Sequence, residues 1–342
     1  MILEPIDVGS VDWGRLDGFA DRVVFQTREW LSFVSRSQDA EPVVATLVDA
    51  GQRAGYFTGL VFRRYGVRIL GSPFPGWTTA YLGFNLEPGV PRRAAWAALP
   101  ALTFGPLRCL HLEARDRLTT EQDVAGLGFA THWLTTFEVD LRPSEDELMA
   151  RMTSACRRCI RKAEREGVVI EEASDERFAD EYHEQLRDVY AKQSLVPMYG
   201  PQRVRELIRN VHPTGRLLLL RARDRHGRCI ATGVFPAMNG VMYFWGGASW
   251  RRHQIVRPNE AVFWYAMRYW KARGMTTFDM GGGGEYKRKY GGRQIFVPTL
   301  SRSRFGALST LRDVAKGAFD VRQHVLGRLR RLPSRERAGS RR

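Results

Sequence analysis

The stretch Phe278-Asp279-Met280-Gly281-Gly282-Gly283-Gly284-Glu285-Tyr286-Lys287-Arg288-Lys289-Tyr290-Gly291-Gly292 decides how this sequence reads. Each of four consecutive glycines loses more backbone freedom on folding than any other residue would. Such a run is therefore kept for positive φ or for close approach of another group to the main chain. Met275 to Met280 reads as a strand, so the glycines fall at the carboxyl edge of a sheet, where α/β proteins collect ligands. Lys287, Arg288 and Lys289 follow, framed by Tyr286 and Tyr290. Cations beside adaptable N–H groups suit an oxyanion or a phosphate. A flexible surface hairpin with solvated charges would use the same residue types.

Working outward, Pro258 opens a helix that runs to Arg273 and stops at Gly274. Arg216–Arg223 and Arg228–Met238 are strands, Asn239-Gly240 is a hairpin turn, and Val241–Ala248 returns. Helices are expected over Tyr182–Lys192 and Gln202–Asn210. Ser144 with Glu147 forms a capping box, and one helix is expected from there to Glu166, ended by Gly167. Its apolar face would be Leu148, Met152, Ala155, Cys159 and Ala163, with Arg151, Arg157, Arg158, Arg161, Lys162 and Arg165 opposite. Val168–Ile170 is a strand. In the first half, helices are expected near Arg28–Val34, Pro91–Leu99 and Thr119–Gly126. Strands are expected near Pro42–Val48, Gly55–Phe62, Leu107–Leu112 and Thr135–Val139, and a loop over Gly71–Gly76.

Strand, hairpin, strand, loop, helix, strand is the order of an acetyltransferase-type (GNAT) α+β core. The run Phe278-Asp279-x-Gly-Gly, a short gap, then Tyr286-Lys287-x-x-Tyr290-Gly291 resembles the F-D-x-G-G…F-K-x-x-F-G pattern of the FemAB/FemX family. The basic helix Arg157–Glu166 followed by Gly167-Val168, and Pro258-Asn259-Glu260-Ala261-Val262-Phe263-Trp264 opening the later helix, resemble it too. The likeness covers residues 140–300 well and 20–85 loosely. It implies a mixed α/β (α+β) fold of two tandem GNAT-like domains. The expected division is 1–140, 141–300 with the catalytic motif, and a basic tail 301–342, helical to about 331. It also implies an N-acyltransferase that moves an aminoacyl group from charged tRNA to an amine of a cell-envelope (peptidoglycan) precursor. The family's functional lysine falls on Lys287 and its aromatic neighbour on Tyr286. The sequence departs from the pattern in having Tyr286 and Tyr290 where the family has Phe, and in lacking a long coiled-coil insertion after Ile170.

Acyl transfer to an amine needs a donor for the developing oxyanion and a fate for the amine proton. Lys287 is the expected oxyanion or phosphate donor. Asp279 is either a base or, as residue type favours, a cap on the glycine loop. Lys289, Gly282, Gly283, Trp245, Asn259 and Arg158 are the further residues expected to bind substrate, against bland readings of Trp245 as core and Arg158 as a solvated helix face. Trp250–Asn259, the loop before the helix, has no glycine, and Pro258 removes an N–H, which disfavours the usual pyrophosphate mode of coenzyme A. Two alternatives stay open: an acyl-CoA-dependent N-acyltransferase on a sugar or small amine, and a non-catalytic RNA- or membrane-binding protein on a degenerate GNAT fold.

The bulk properties fit this picture. The 342 residues suit two domains. No apolar run approaches a membrane span or a secretory signal, so a cytosolic protein is expected. Cys156-x-x-Cys159 lacks a second ligand pair and reads as two core-facing positions, so neither metal nor cofactor is expected. The net charge is +16, and most of it comes from the segment 301–342. That segment carries apolar residues at Leu311, Val314, Phe319 and Val325 between arginines, a basic amphipathic pattern suited to the inner face of a membrane, where a lipid-linked acceptor would lie.

Overall fold

Strand formation follows the β-branched and aromatic runs. In the computed structural model, which describes residues 1–64, 66–71, 79–192 and 195–306, the strands are β1 (Ile2–Ile6), β2 (Ala40–Asp49), β3 (Gln52–Arg64), β4 (Val67–Gly71), β5 (Gly83–Leu86), β6 (His111–Ala114), β7 (Ala130–Asp140), β8 (Val169–Glu172), β9 (Leu217–Arg223), β10 (Cys229–Met238), β11 (Val241–Tyr243), β12 (Gly246–Ser249), β13 (Thr277–Asp279) and β14 (Arg293–Ser303). The helices are α1 (Trp13–Asp17), α2 (Arg28–Gln38), α3 (Arg92–Phe104), α4 (Glu121–Val124), α5 (Glu145–Arg151), α6 (Ser154–Arg165), α7 (Arg177–Lys192), α8 (Pro201–Val211) and α9 (Pro258–Ala272). The glycine- and proline-rich stretch after Gly71 and the basic tail from residue 307 onward lie outside the described residues, with the helix expected there.

These strands form one mixed sheet in the order β1-β2-β3-β4-β6-β14-β7-β13-β11-β10-β9-β8, with β5 on β3 and β12 on β10. The sheet runs unbroken past residue 140. β14, the last strand among the described residues, inserts between β6 and β7, antiparallel to both, and continues to Ser303 opposite His111. Two halves that each supply helices and strands are thereby joined through backbone hydrogen bonds.

Alternation along each strand sorts side chains to two faces. One face carries a large core shared by both halves: Trp30 and Phe33 of α2, Tyr182 of α7, Val204 and Leu207 of α8, Leu219, Val234, Tyr243 and Val297. The opposite face carries two separate cores. Trp96 and Leu99 of α3 pack there on Leu47, Val61 and Leu112. Ile160 of α6 and Phe263, Met267 and Trp270 of α9 pack on Phe137, Leu220, Phe235 and Phe278. Between those two cores β7 and β14 are left bare, with Trp133 41% and Phe296 61% exposed. Among the described residues no helix is long and apolar enough to cross a membrane.

The expected helix from Ser144 to Glu166 is two helices. α5 is closed at Met152, which is extended, and Thr153 then caps α6, its hydroxyl accepting from the Cys156 amide. A Thr three residues before Cys156 was a second start signal inside an otherwise periodic run. The break rotates the buried face of α6 to Cys156, Ile160 and Ala163, leaving Ala155 exposed and Cys159 half-buried. It also frees the Thr153 amide to donate to the Lys289 carbonyl at 2.9 Å, so tertiary contact stabilises the interruption. The return strand expected over Val241–Ala248 is likewise two pieces, parted at Phe244-Trp245, and the Thr119–Gly126 helix is only the single turn α4.

Candidate active site

The parting of that strand builds the site. β11 runs parallel to β13 through Val241–Thr277, Met242–Phe278 and Tyr243–Asp279. One more bond follows, Phe244 N to Asp279 O at 2.9 Å. Beyond it the chains separate. The Trp245 amide turns to Val234 O, and β12 pairs only with β10, on Ala231–Val234. The other arm becomes the glycine stretch, in which Gly281 and Gly282 both hold φ of 60°. A Cβ on Gly281 would lie 3.3 Å from the Phe244 carbonyl oxygen. Non-glycine residues are disfavoured in this conformation, which is the physical reason for glycine here.

Asp279 ties the strand end to both halves of the molecule. Its carboxylate is fully buried. Oδ2 accepts from the Tyr81 hydroxyl at 2.6 Å, and Oδ1 accepts from the Thr136 hydroxyl at 2.7 Å and the Gly281 amide at 2.9 Å. Three donors occupy it, one of them the amide two residues on, which is an Asx-type turn.

Lys287 lies on a tight 3-10 turn, Glu285–Tyr290, whose Tyr290 ring stacks on Phe263 at 4.9 Å. Its side chain is buried. Nζ donates to Met280 O at 2.8 Å and Gly282 O at 3.2 Å, and sits 5.8 Å from the centre of the Phe244 ring and 5.8 Å from that of Tyr286. It forms no ion pair among the described residues. Burial drives its pKa down to about 8, opposed by the charge of Asp279. The ammonium has three N–H donors and two are spent on carbonyls, so one remains for a further oxygen. The two residues do not share a face. Asp279 faces the core common to both halves, with Tyr81 and Tyr243. Lys287 lies toward Phe244 and the core under α9.

The remaining expected residues divide. Gly282 and Gly283 form the arm itself, and Gly283 abuts Thr135 of β7. Tyr286 is 54% exposed at the rim. Lys289 is engaged: Nζ donates to Glu260 Oε1 at 2.7 Å, which pins the turn to the first turn of α9. Asn259 Nδ2 donates to Ser249 Oγ at 3.1 Å, fixing the start of α9 to the end of β12. Trp245 turns to the shared core, with its ring centre 5.8 Å from Tyr199 and 6.4 Å from Tyr182. Arg158 is exposed on α6. The segment before α9 is a 3-10 turn, Arg251–Val256, and Arg257 has φ of 60° ahead of Pro258.

Sequence reasoning missed Tyr81, Thr136, Arg115, Arg117 and Glu138. All five lie about 140 to 200 positions from the glycine stretch, and the pairing of β14 with β6 and β7, and of β7 with β13, brings these segments to Asp279. Arg117 pairs with Glu138, whose pKa is raised by burial against the pull of Arg117. No local spacing signals such a set.

Residues 150–289 match the family described as "Acetyltransferase (GNAT) domain". Among solved structures, FemX matches at a TM-score of 0.70 and 12% identity, over 90% of this chain and 99% of that one. A tandem GNAT protein from the clavulanic acid biosynthesis pathway matches at 0.52 and 12%, over 88% and 98%. L-PGS from Bacillus licheniformis matches at 0.51 and 13%, over 84% and 95%. At such identities these likenesses establish the fold. No curated protein sequence matches the chain.

Proposed function

We propose, for a chain with a GNAT acyltransferase domain in a FemX-like fold, that it transfers an aminoacyl group from aminoacyl-tRNA to an amine of a cell-envelope precursor. The observation that carries this reading is Lys287, a buried ammonium with no carboxylate partner and one donor to spare, at the point where β12 and β13 part. A carbonyl seated in that gap would meet the free N–H as negative charge develops on its oxygen, and a preorganised donor in a dry setting is worth most there. Asp279 acts by holding the glycine arm and Tyr286 by covering the ammonium. The amine proton leaves with the substrate or with water, since Asp279 is fully buried, engaged by three donors and on the other face from Lys287. The segment Arg251–Pro258, without glycine and with a proline at the helix start, supports a donor other than coenzyme A.

The test presents purified protein with labelled aminoacyl-tRNA and, separately, labelled acyl-coenzyme A, with cell-envelope precursors as acceptors, beside Lys287→Ala. Transfer from aminoacyl-tRNA that the substitution abolishes is the expected result. Transfer from acyl-coenzyme A alone would replace the donor assignment. No transfer from either would end the reading.

A further inference from the structure

Alternation carries one strip of the sheet through the gap between the α3 core and the α9 core. From Leu300, which shares a core with Trp96 and Leu99 of α3, every second residue of β14 keeps to that face: Pro298, Phe296 and Gln294. From Phe137, which shares the core under α9, β7 adds Thr135 and Trp133 to it. The register pairs Phe296 with Thr135 and Pro298 with Trp133, so these four side chains form one floor. Phe296 is 61% and Trp133 41% exposed, although both lie in the interior of the sheet and not at its edge. At one end the floor meets the glycine arm: Gly283 abuts Thr135, and the Tyr286 ring lies against Gly284. At the other end β14 leaves the sheet, with the Arg304 amide donating to Leu110 O at 2.9 Å.

An apolar strip at the centre of a sheet asks for a cover, and its dimensions say of what kind. The slot is two strands wide, about 10 Å at the usual strand spacing, which is the diameter of one helix with its side chains. From Arg302 back to Gln294 it is about 26 Å long, the span of a helix of about 18 residues. The chain that follows emerges at one end of it. Residues 307–342 continue directly from β14 and lie outside the described residues. Their sequence puts Leu311, Ala315, Ala318, Phe319, Leu326 and Leu329 on one helical face, with Arg312, Lys316 and Arg328 off it. Arg322 is the charge that breaks this face. At a rise of about 1.5 Å per residue it falls toward the arm end of the slot, where Glu285 is exposed. Gly317 and Gly327 weaken the segment as an isolated helix, so it needs a surface to pack on.

We propose that residues 308–329 fold back as a helix antiparallel to β14 and fill this slot, with Phe319 on Phe296 and Leu326 beside the glycine arm. Width, length and point of exit all match the segment that follows in sequence, and consecutive elements usually pack as neighbours.

Hydrogen exchange on the full chain, read by mass spectrometry without lipid, tests this. Backbone amides over 311–326 should exchange about tenfold or more slower than an unstructured chain. Phe319→Asp and, separately, Phe296→Asp should each return them to the unstructured rate while the amides of α3 and α9 keep their protection. With Phe296→Cys and Phe319→Cys in one chain, oxidation by copper phenanthroline should join the two positions within the monomer; peptide masses distinguish that bond from any made by the native cysteines. Fast exchange over 311–326 in solution would overturn the proposal. So would protection that appears only with phosphatidylglycerol vesicles, which would assign the segment to a membrane. Protection that survives Phe296→Asp, or a bond formed only between two chains, would overturn it too, the second by giving the slot to another copy. None of these readouts involves transfer, so the proposal stands or falls independently of the function above.

Discussion

Two strand ends near the middle of the sheet are built alike and finish differently. β6 runs into Asp116 and β13 ends at Asp279. Each aspartate accepts from the amide two residues on, Leu118 in one case and Gly281 in the other, both at 2.9 Å. Each also reaches across to another segment: Asp116 accepts from the Phe84 amide and from Arg92 at 2.5 Å, Asp279 from Tyr81 and Thr136. After Asp116 come Arg117 and Leu118, and the ion pair with Arg92 closes the turn. After Asp279 come Met280 and four glycines, no cation among the described residues contacts its carboxylate directly, and the arm bends away from β12 around Lys287. The same local device therefore makes a locked corner in the first half and an open one in the second. What differs is side-chain volume in the next four residues and where the compensating cation sits.

That contrast can be broken at the open corner first. Lys287→Ala should lower transfer about 10²- to 10³-fold, the usual loss for one oxyanion donor; in the labelled-donor assay, more than a tenth of the wild-type rate would remove Lys287 from the chemistry. At the locked corner the effect should be on stability. Asp116→Ala strips Arg92 of a buried partner and leaves the Phe84 amide unsatisfied, for a loss of about 3 kcal/mol in urea unfolding. Equal unfolding midpoints would mean that Asp21, the other partner of Arg92, carries the corner.

The pH dependence sharpens the comparison, because a free cation titrates where a paired one does not. Lys287 in the folded protein loses its proton near pH 8, so kcat should decline as pH rises through 8, and Lys287→Arg should move that limb upward. The stability sign is the reverse of a paired lysine. Between about pH 8 and the lysine reference near 10.5 the unfolded chain holds a proton that the folded chain has lost. Folding therefore becomes more favourable as pH rises through that window, by about 3 kcal/mol across it, and below pH 8 the cost of the buried ammonium is constant. Denaturant midpoints of wild type and Lys287→Met should converge across the window. A gap that stays constant would show that Lys287 is not desolvated. The smallest effect is expected at Gly281→Ala, where a Cβ at φ of 60° costs about 1–2 kcal/mol and presses on the Phe244 carbonyl. Loss of stability without loss of transfer would separate the shape of the arm from its function.

The element order was legible because it depends on neighbours in sequence. The capping box at Ser144, proline at the start of α9, the Asn239-Gly240 turn and the leucines of β9 act within a few residues. The helix expected through Met152 failed because Thr153 and the docking of the Lys289 carbonyl overrode a continuous apolar period. The return strand failed at Phe244 because β10 pairs with both of its ends while β13 pairs only with the first.

By itself the sequence determined that a strand ends near Asp279-Met280, that the glycines after it suit the positive φ taken there, and that a lysine returns within reach. These are statements about φ, entropy and short loops. Only the tertiary structure decided that Lys287 is buried and unpaired, that Lys289 is spent on Glu260, and that Asp279 is filled by Tyr81 and Thr136. Those outcomes depend on β14 threading between β6 and β7. Desolvation and hydrogen-bond saturation are set in large part by groups 29 to 198 residues away, Glu260 for Lys289 and Tyr81 for Asp279, which no local pattern encodes.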